Sequence, residues 1–352
     1  MATQNGLTLS SATFAKLSPH PYLLANLQPP DPSTTPSART NGRQPRQARQ
    51  PNVNTSSLSH AQGSAVVRTG DTTVICGVRA ETLLASHIPN YRTPVLGNED
   101  ARDDNNSTDE LRDYDLLVPN IELATGCAPN FLPGVPPTSL AQTLSTRVYS
   151  LLHSSGLLDA ADLRIYFDRK GLRGDRGEEG PTTGEEDKDG PEEPRKEVKA
   201  YWVLYIDLLF ISFDGNPFDA AWAAVVAALR DTKLPQAYWD PDREMVLCSR
   251  KKPLPLQVRG LPVACTAAVF TAKERQKRGG GQYWILVDPD RFEESLCDET
   301  VTVVVDRTQG GTRILGISKS GGTTVGPQVL RRFVSVAEER WQDFKNALAK
   351  AG

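Results

Sequence analysis

Residues 200–214 read Ala-Tyr-Trp-Val-Leu-Tyr-Ile-Asp-Leu-Leu-Phe-Ile-Ser-Phe-Asp, and Gly215-Asn216 follow before Phe218 to Leu229. The first part is a long apolar run rich in aromatic and β-branched residues, which predicts a buried strand. Asp-Gly punctuates it, and the alanine-rich segment that follows predicts a helix. Trp222, Val225, Val226 and Leu229 fall at i, i+3, i+4 and i+7 and define its apolar stripe. Asp219 sits in the first turn, where a carboxylate complements the helix dipole. A turn from a strand into a helix N-terminus is a common place to bind phosphate, so the residues in this turn decide the functional reading.

Upstream of this stretch, Asp175–Glu193 holds nine acids against two bases, with glycines and prolines and no apolar residue. Such a segment cannot bury enough surface to order itself, so residues 170–198 are expected to be a disordered acidic insertion, either solvated or a docking loop. Further back, Ala65–Thr69 and Thr72–Val78 are β-rich arms around Gly70-Asp71, a hairpin pattern. Arg92–Asp115 is polar and acid-rich and predicts a surface insertion, and Leu116–Leu123 predicts a strand. A helix from Thr138 to His153 would align Leu140, Leu144, Val148, Leu151 and Leu152, and Leu163–Phe167 predicts a strand.

The chain opens with a candidate helix at Ala12–Leu17, ended by Pro19 and Pro21. Gln28–Ser37 reads as an extended tether. From Arg39 to Arg49 there are four arginines and no acid, which predicts a solvated basic arm or one laid on RNA or an acidic neighbour.

Downstream, Met245–Ser249 and Leu256–Val258 are strand-like. Val263–Phe270 and Tyr283–Val287 predict strands joined by a basic, Gly-rich hairpin tip, Lys273–Gly281. Val301–Val305 and Ile314–Ile317 predict a second hairpin. A last helix starts near Pro327, with Leu330, Phe333, Val334, Ala337, Trp341, Phe344 and Leu348 as one stripe.

The 352 residues, 38% hydrophobic, are enough for two core-sized units. A net charge of −3 does not by itself mark a nucleic-acid binder. The five cysteines form no C-x-x-C pair, and the four histidines show no metal spacing, so buried free thiols and no metal or cofactor are expected. No apolar run reaches membrane-span length and no secretory signal is visible, so a soluble, intracellular protein without membrane contact is expected.

Taken together, several of these pieces resemble the RNase PH family. Gly63-Ser64-Ala65-Val66-Val67-x-x-Gly70-x-Thr72-x-Val74 is similar to its opening hairpin, and Arg39-x-x-Gly42-Arg43 to its R-x-D-G-R motif, with Asn41 replacing the acid. Asp214-Gly215-Asn216-x-x-Asp219-Ala220-Ala221, Leu286-Val287-Asp288-Pro289 and Lys319-Ser320-Gly321-Gly322 resemble the family's ring subunits of the eukaryotic RNA exosome. The resemblance implies an α/β (α+β two-layer) RNase PH fold, with each lobe a β-sheet with packed helices of the ribosomal protein S5 domain 2-like kind. It divides the chain into an N-terminal helix and flexible basic arm (1–52), lobe 1 (53–255) and lobe 2 with the C-terminal helix (256–352). It also implies a ring of six RNase PH-type subunits, paired as heterodimers, around an RNA channel and topped by S1- or KH-type cap proteins. The implied role is rRNA maturation and mRNA turnover in the nucleus, nucleolus and cytoplasm.

Active family members shorten RNA from its 3′ end with inorganic phosphate, and the resemblance locates what they need. The phosphate cradle, Gly-Thr-Arg or a serine run in the family, falls here on Asn216, Pro217, Phe218 and Asp219. Pro217 has no N–H, Phe218 offers no hydrogen bond, and Asp219 puts an anion where an anion should bind. At about 4 Å and an effective dielectric near 20, that repulsion is about 4 kcal/mol, roughly a thousandfold in affinity. The family's carboxylate pair, spaced by six for metal-assisted or general-acid work, aligns with Glu294 and Thr300, so its second member is absent. The expectation is a ring subunit with no catalytic residues, in which Arg43, Arg46 and Arg147 are the candidates for contact with RNA phosphates. The alternatives are an active phosphorolytic exoribonuclease completed by a partner subunit, or an RNase PH-like fold outside any ring.

Overall fold

The structure, a computed structural model, describes residues 10–29, 36–92, 110–134, 136–168, 196–272, 282–322 and 325–351. Its spine is the organising strand, β6 (Lys196–Ser212), whose 17 residues pair with different neighbours at its two ends. Along one edge it runs antiparallel to β3 (Thr72–Leu84). Along the other, its first part is antiparallel to β5 (Arg164–Asp168) and its second part parallel to β4 (Leu117–Leu123). Beyond β3 the sheet continues into β2 (Gly63–Thr69) and β1 (Pro51–Thr55). The β2–β3 link is the expected Gly70-Asp71 turn, with Gly70 at φ +60°.

The two-residue period of the strands sorts their side chains by face. Leu204, Ile206, Leu208 and Phe210 of β6 point into the core with Val74, Cys76 and Val78 of β3. Leu209 and Ile211 lie on the opposite face, 37% and 51% exposed. The second half of the apolar run is therefore buried on one face only, whereas Tyr201 to Leu204 are buried on both faces.

Two helices cover the buried face. On β4 lies α3 (Ser139–Ser154), with Leu144, Val148, Leu151 and Leu152 inward, and a one-turn helix, α4 (Ala160–Leu163), leads from it into β5. Leu140, expected on that stripe, is 39% exposed. Across β2 and β3 lies α5 (Pro217–Asp231), which is buried from Pro217 to Leu229 on nearly every side rather than along one stripe, only Ala223 being half-buried. Its far side is covered by β9 (Val263–Thr271) of the second lobe, and the Trp222 Nε1 donates to the Pro262 carbonyl (3.0 Å). Small residues at 220, 221, 224, 227 and 228 let a sheet approach each side, as in a helix that is apolar all round.

Lobe 2 is an antiparallel sheet in the order β10 (Tyr283–Val287), β9, β11 (Glu299–Asp306), β12 (Arg313–Ser320). The last helix, α7 (Pro327–Ala351), packs on β1, β9 and β11 through Phe333, Ala337, Trp341 and Phe344. A separate ribbon joins β7 (Lys233–Asp240) to β8 (Met245–Pro255). Here Leu256–Val258 is not a strand, and Pro235 is tolerated because the register shifts between Leu234 and Gln236.

At the N-terminus Pro19 begins a second helix rather than ending the chain's helical run. Helix α1 (Ser11–Leu17) is followed by α2 (Pro19–Leu27), with Pro19 at its first position, where a missing N–H costs nothing. Leu23 and Leu27 pack on Phe270 and Leu286 of lobe 2. The described residues after the tether are not a solvated arm: Arg39 is 1% exposed. Within Arg92–Asp115, residues 110–113 form a helical turn with Leu111 buried and Glu110 paired to Arg164. The expected acidic insertion, apart from the start of β6, the Lys273–Gly281 tip, and residues 93–109 lie outside the described residues.

Candidate functional site

The turn between β6 and α5 is built from two consecutive left-handed residues, Gly215 (φ +74°) and Asn216 (φ +48°). Gly215 has no alternative, since a Cβ there would lie 2.5–2.7 Å from the backbone of Pro289, Asp290 and Arg291. That backbone enters a short helix, α6 (Arg291–Leu296), which the sequence reading missed. The signal was present in Asp290-x-x-Glu293, a capping box in which each side chain bonds the other's backbone N–H. Thus α6 carries Glu294 to the turn, while Glu293 is directed to Arg39.

Glu294 Oε1 accepts the Asn216 backbone N–H at 2.7 Å. Burial pushes the Glu294 carboxyl up to about 7; the Asn216 N–H and Arg49 pull it down, while Asp288 and Asp290 push it further up. The donor that leads into α5 is therefore already engaged by the chain's own acid. The next position, Pro217, has no N–H to offer.

Asp219 behaves otherwise than the sequence reading expected. Its carboxylate does not face an incoming anion but points inward, 8% exposed. It accepts the Thr266 N–H (2.8 Å), the Thr266 hydroxyl (2.6 Å) and the Asn216 amide Nδ2 (2.9 Å). Burial raises its pKa against those hydrogen bonds. Its role is to tie α5 to β9, and the phosphate repulsion by an exposed Asp219 does not apply; the acids that face the turn are Glu294, on the Asn216 N–H, and Asp214, paired to Arg49.

Phe218 is buried, and the Arg147 guanidinium lies 3.9 Å from its ring centroid. Arg147 Nη2 also donates to Thr302 Oγ1 (2.9 Å). Since the Thr266 hydroxyl proton goes to Asp219, Thr302 donates to Thr266 Oγ1 (2.9 Å), completing a chain from Arg147 through Thr302 and Thr266 to Asp219. Arg147 thus joins α3 to lobe 2 through Phe218 and Thr302.

Asp288, at φ +51° and 1% exposed, anchors the remaining arginines. Arg49 grips it with Nε (2.8 Å) and Nη2 (2.9 Å), and the Asn216 Nδ2 donates to it at 2.8 Å. Burial would raise this carboxyl, but Arg49, helped by Arg340 and Asn216, holds it well below the usual carboxylate range. Arg43 reaches the Asp288 carbonyl (3.1 Å), and Arg39 forms a bidentate pair with buried Glu293 while bonding the Val287 carbonyl (2.7 Å). Arg43 is therefore spent on lobe 2, whereas Arg46 is exposed. Asn41, where the family motif has an acid, donates to Asp290 at 2.8 Å, a contact an ionised aspartate could not make.

Of the carboxylate pair, only Glu294 is at the turn. Thr300 stands on β11 opposite Ala268 and Ser320 and has no ionisable group. Among the described residues no cluster of three His, Cys, Asp or Glu side chains is placed to hold a metal ion. Chemically, the arrangement keeps one carboxyl near neutral acidity and a dense set of internal ion pairs, but it presents few free donors for an oxyanion.

Comparison with known proteins agrees with this architecture. The 3′ exoribonuclease family matches in both its domains, domain 1 over residues 47–235 and domain 2 over residues 260–340. The chain is 30% identical over 335 residues to the Exosome complex component rrp43 of Schizosaccharomyces pombe, covering 95% of this chain and 97% of that one. It is 28% identical to the Exosome complex component Rrp42 of Methanothermobacter thermautotrophicus, over 86% of each chain. Among solved structures, a chain of the Archaeoglobus fulgidus exosome with RNA bound to the active site superposes with a TM-score of 0.61 at 23% identity, covering 93% of this chain and 96% of that one. A chain of an archaeal exosome core gives 0.58 at 22%, covering 96% and 100%.

Proposed function

The chain belongs to the 3′ exoribonuclease family, the RNase PH family, and from that premise we propose that it is a non-catalytic subunit of an exosome-type ring. It serves 3′-to-5′ RNA processing and degradation by closing the ring and threading RNA, while other subunits supply chemistry. Its partners are other RNase PH-type subunits, first as a heterodimer and then as a hexamer, with S1- or KH-type cap proteins above them. Its place is the nucleus, the nucleolus and the cytoplasm, in rRNA maturation and mRNA turnover. Full-length similarity to proteins named exosome complex components supports the assembly.

The observation that carries the absence of catalysis is the Glu294 carboxyl on the Asn216 N–H, followed by Pro217. An inorganic phosphate at this turn would have to displace that bond and then meet a helix whose first residue donates nothing. The cations beside the turn are engaged elsewhere: Arg147 is held against Phe218 and Thr302, and Arg49 on Asp288 and the Asp214 carbonyl.

One observation favours a second reading. A carboxyl near 7 has the acidity of a general acid at neutral pH. If a partner subunit supplied the phosphate donors across an interface, Glu294 would complete an active phosphorolytic site. Affinity purification at moderate salt with native mass spectrometry tests the ring, and recovery of the chain only as a monomer would count against it. Phosphate-dependent RNA shortening by the purified heterodimer, with each subunit altered in turn, tests the chemistry. Activity lost on Glu294→Gln and kept when the partner's acids are altered would establish the second reading.

A further inference from the structure

On the outer edge of lobe 2, β10, residues Gln44–Arg46 and the start of α7 enclose an open groove of about 410 Å³, within the roughly 300–1,000 Å³ range of ligand sites. Its walls include Gln44, Arg46, Tyr283, Ile285, Val329 and Arg332, with two guanidiniums and no carboxylate. Arg46 and Arg332 are exposed, and Tyr283 is 39% exposed. By sequence, the connection that leads to Tyr283, residues 273–281, is itself basic, with four Lys or Arg against one acid. Neither the turn after β6 nor the internal ion pairs use these groups.

Charge and exposed aromatic surface together select the ligand. A positive groove beside an accessible ring is the arrangement that binds single-stranded nucleic acid, through phosphates on cations and a base on the aromatic face. An extended acidic peptide added to the β10 edge is the rival. The bond from the Ala272 N–H to the Gln282 carbonyl, with the β9–β10 pairing, directs the backbone groups of Tyr283, Ile285 and Val287 outward. Val287 is already used on both sides: its N–H goes to the Pro45 carbonyl (2.9 Å), and its carbonyl accepts from Arg39 (2.7 Å). What remains is an edge with two outward-facing residues, about 10 Å of strand, too short to hold a peptide by main-chain pairing.

We infer that this groove is a single-stranded RNA site, holding a nucleotide with its base on Tyr283 and its phosphates on Arg46 and Arg332, apart from the turn after β6. It does not depend on the ring reading, because every group belongs to this chain. The test is binding of a labelled single-stranded oligouridine to the full chain as salt is varied. Arg46→Ala and Arg332→Ala should each lower the slope of log affinity against log salt by about 0.7. Tyr283→Ala should weaken binding roughly 5- to 150-fold, and Tyr283→Phe should restore it. A 4-thiouridine probe should crosslink within 282–287. Circular dichroism and urea unfolding, expected to be unchanged because the altered side chains are on the surface, identify any variant that misfolds. The inference is overturned if the chain binds no oligouridine, if the Arg46→Ala, Arg332→Ala double variant keeps affinity and slope, or if a labelled acidic peptide binds more tightly than RNA and responds to the same variants. Ring assembly, read separately by native mass, leaves these outcomes unaffected.

Discussion

Replacing Glu294 with glutamine isolates the charge that occupies the turn. Glutamine keeps a side-chain oxygen for the Asn216 N–H but cannot ionise. In the folded chain burial raises this carboxyl from an ordinary 4.5 to about 7. A raised carboxyl binds more protons in the native state than in the unfolded chain, so its linkage destabilises the fold as pH rises. That cost is absent below about pH 4.5, grows through the window up to about 7, and is complete above it. At about 1.4 kcal/mol per pH unit the full cost is roughly 3 kcal/mol. Urea unfolding of the full chain and of Glu294→Gln at pH 5, 6, 7 and 8 gives the comparison. The stability of the variant relative to the parent should rise by about 2–3 kcal/mol from pH 5 to pH 8, most of it before pH 7.5. A difference that stays flat with pH, or a variant that loses ground as pH rises, would refute the reasoning, because Glu294 would then be neither desolvated nor seated on the turn.

Other expectations concern the joints between arm and lobes. Arg39→Ala strands Glu293 in a fully buried site and should cost about 3–5 kcal/mol in urea unfolding. Thr266→Val removes the hydroxyl that links Asp219 to Thr302 and should cost about 1–3 kcal/mol, measured by the same method. Asp288 has a depressed pKa, so its stabilisation is present above the ordinary 3.8 and is lost as pH falls below it. The parent should therefore lose stability below about pH 4 faster than Asp288→Asn, and parallel acid limbs in the two unfolding series would contradict this.

How far the sequence could be read depended on whether local pattern and tertiary environment agreed. The β2–β3 hairpin, the lobe 2 strands and the long stripe of α7 agree, because alternation or helical period alone sets the buried face. For α5, periodicity showed one stripe, while burial on nearly every side is due to a second sheet that its small residues admit. Charge misled where partners are distant in sequence. Arg39 and Arg49 lie in a run without acids, yet Glu293 and Asp288 wait some 240–254 residues away. Asp219 was placed at the right turn, but its side-chain direction depends on Thr266, and spacing within one helix cannot reveal that. Arg147 likewise looked like a free cation until Phe218 and Thr302 covered it. The capping box of α6 was legible at Asp290 and Glu293, but not that the helix brings Glu294 onto the Asn216 N–H, 78 residues away in sequence.

The most direct measurement is a crystal structure of the chain grown in inorganic phosphate at neutral pH. The expected result is the Glu294 carboxyl on the Asn216 N–H, with no phosphate against the backbone of residues 216–219. A phosphate ion seated there, with Glu294 swung away, would contradict the claim that the chain fills its own anion seat.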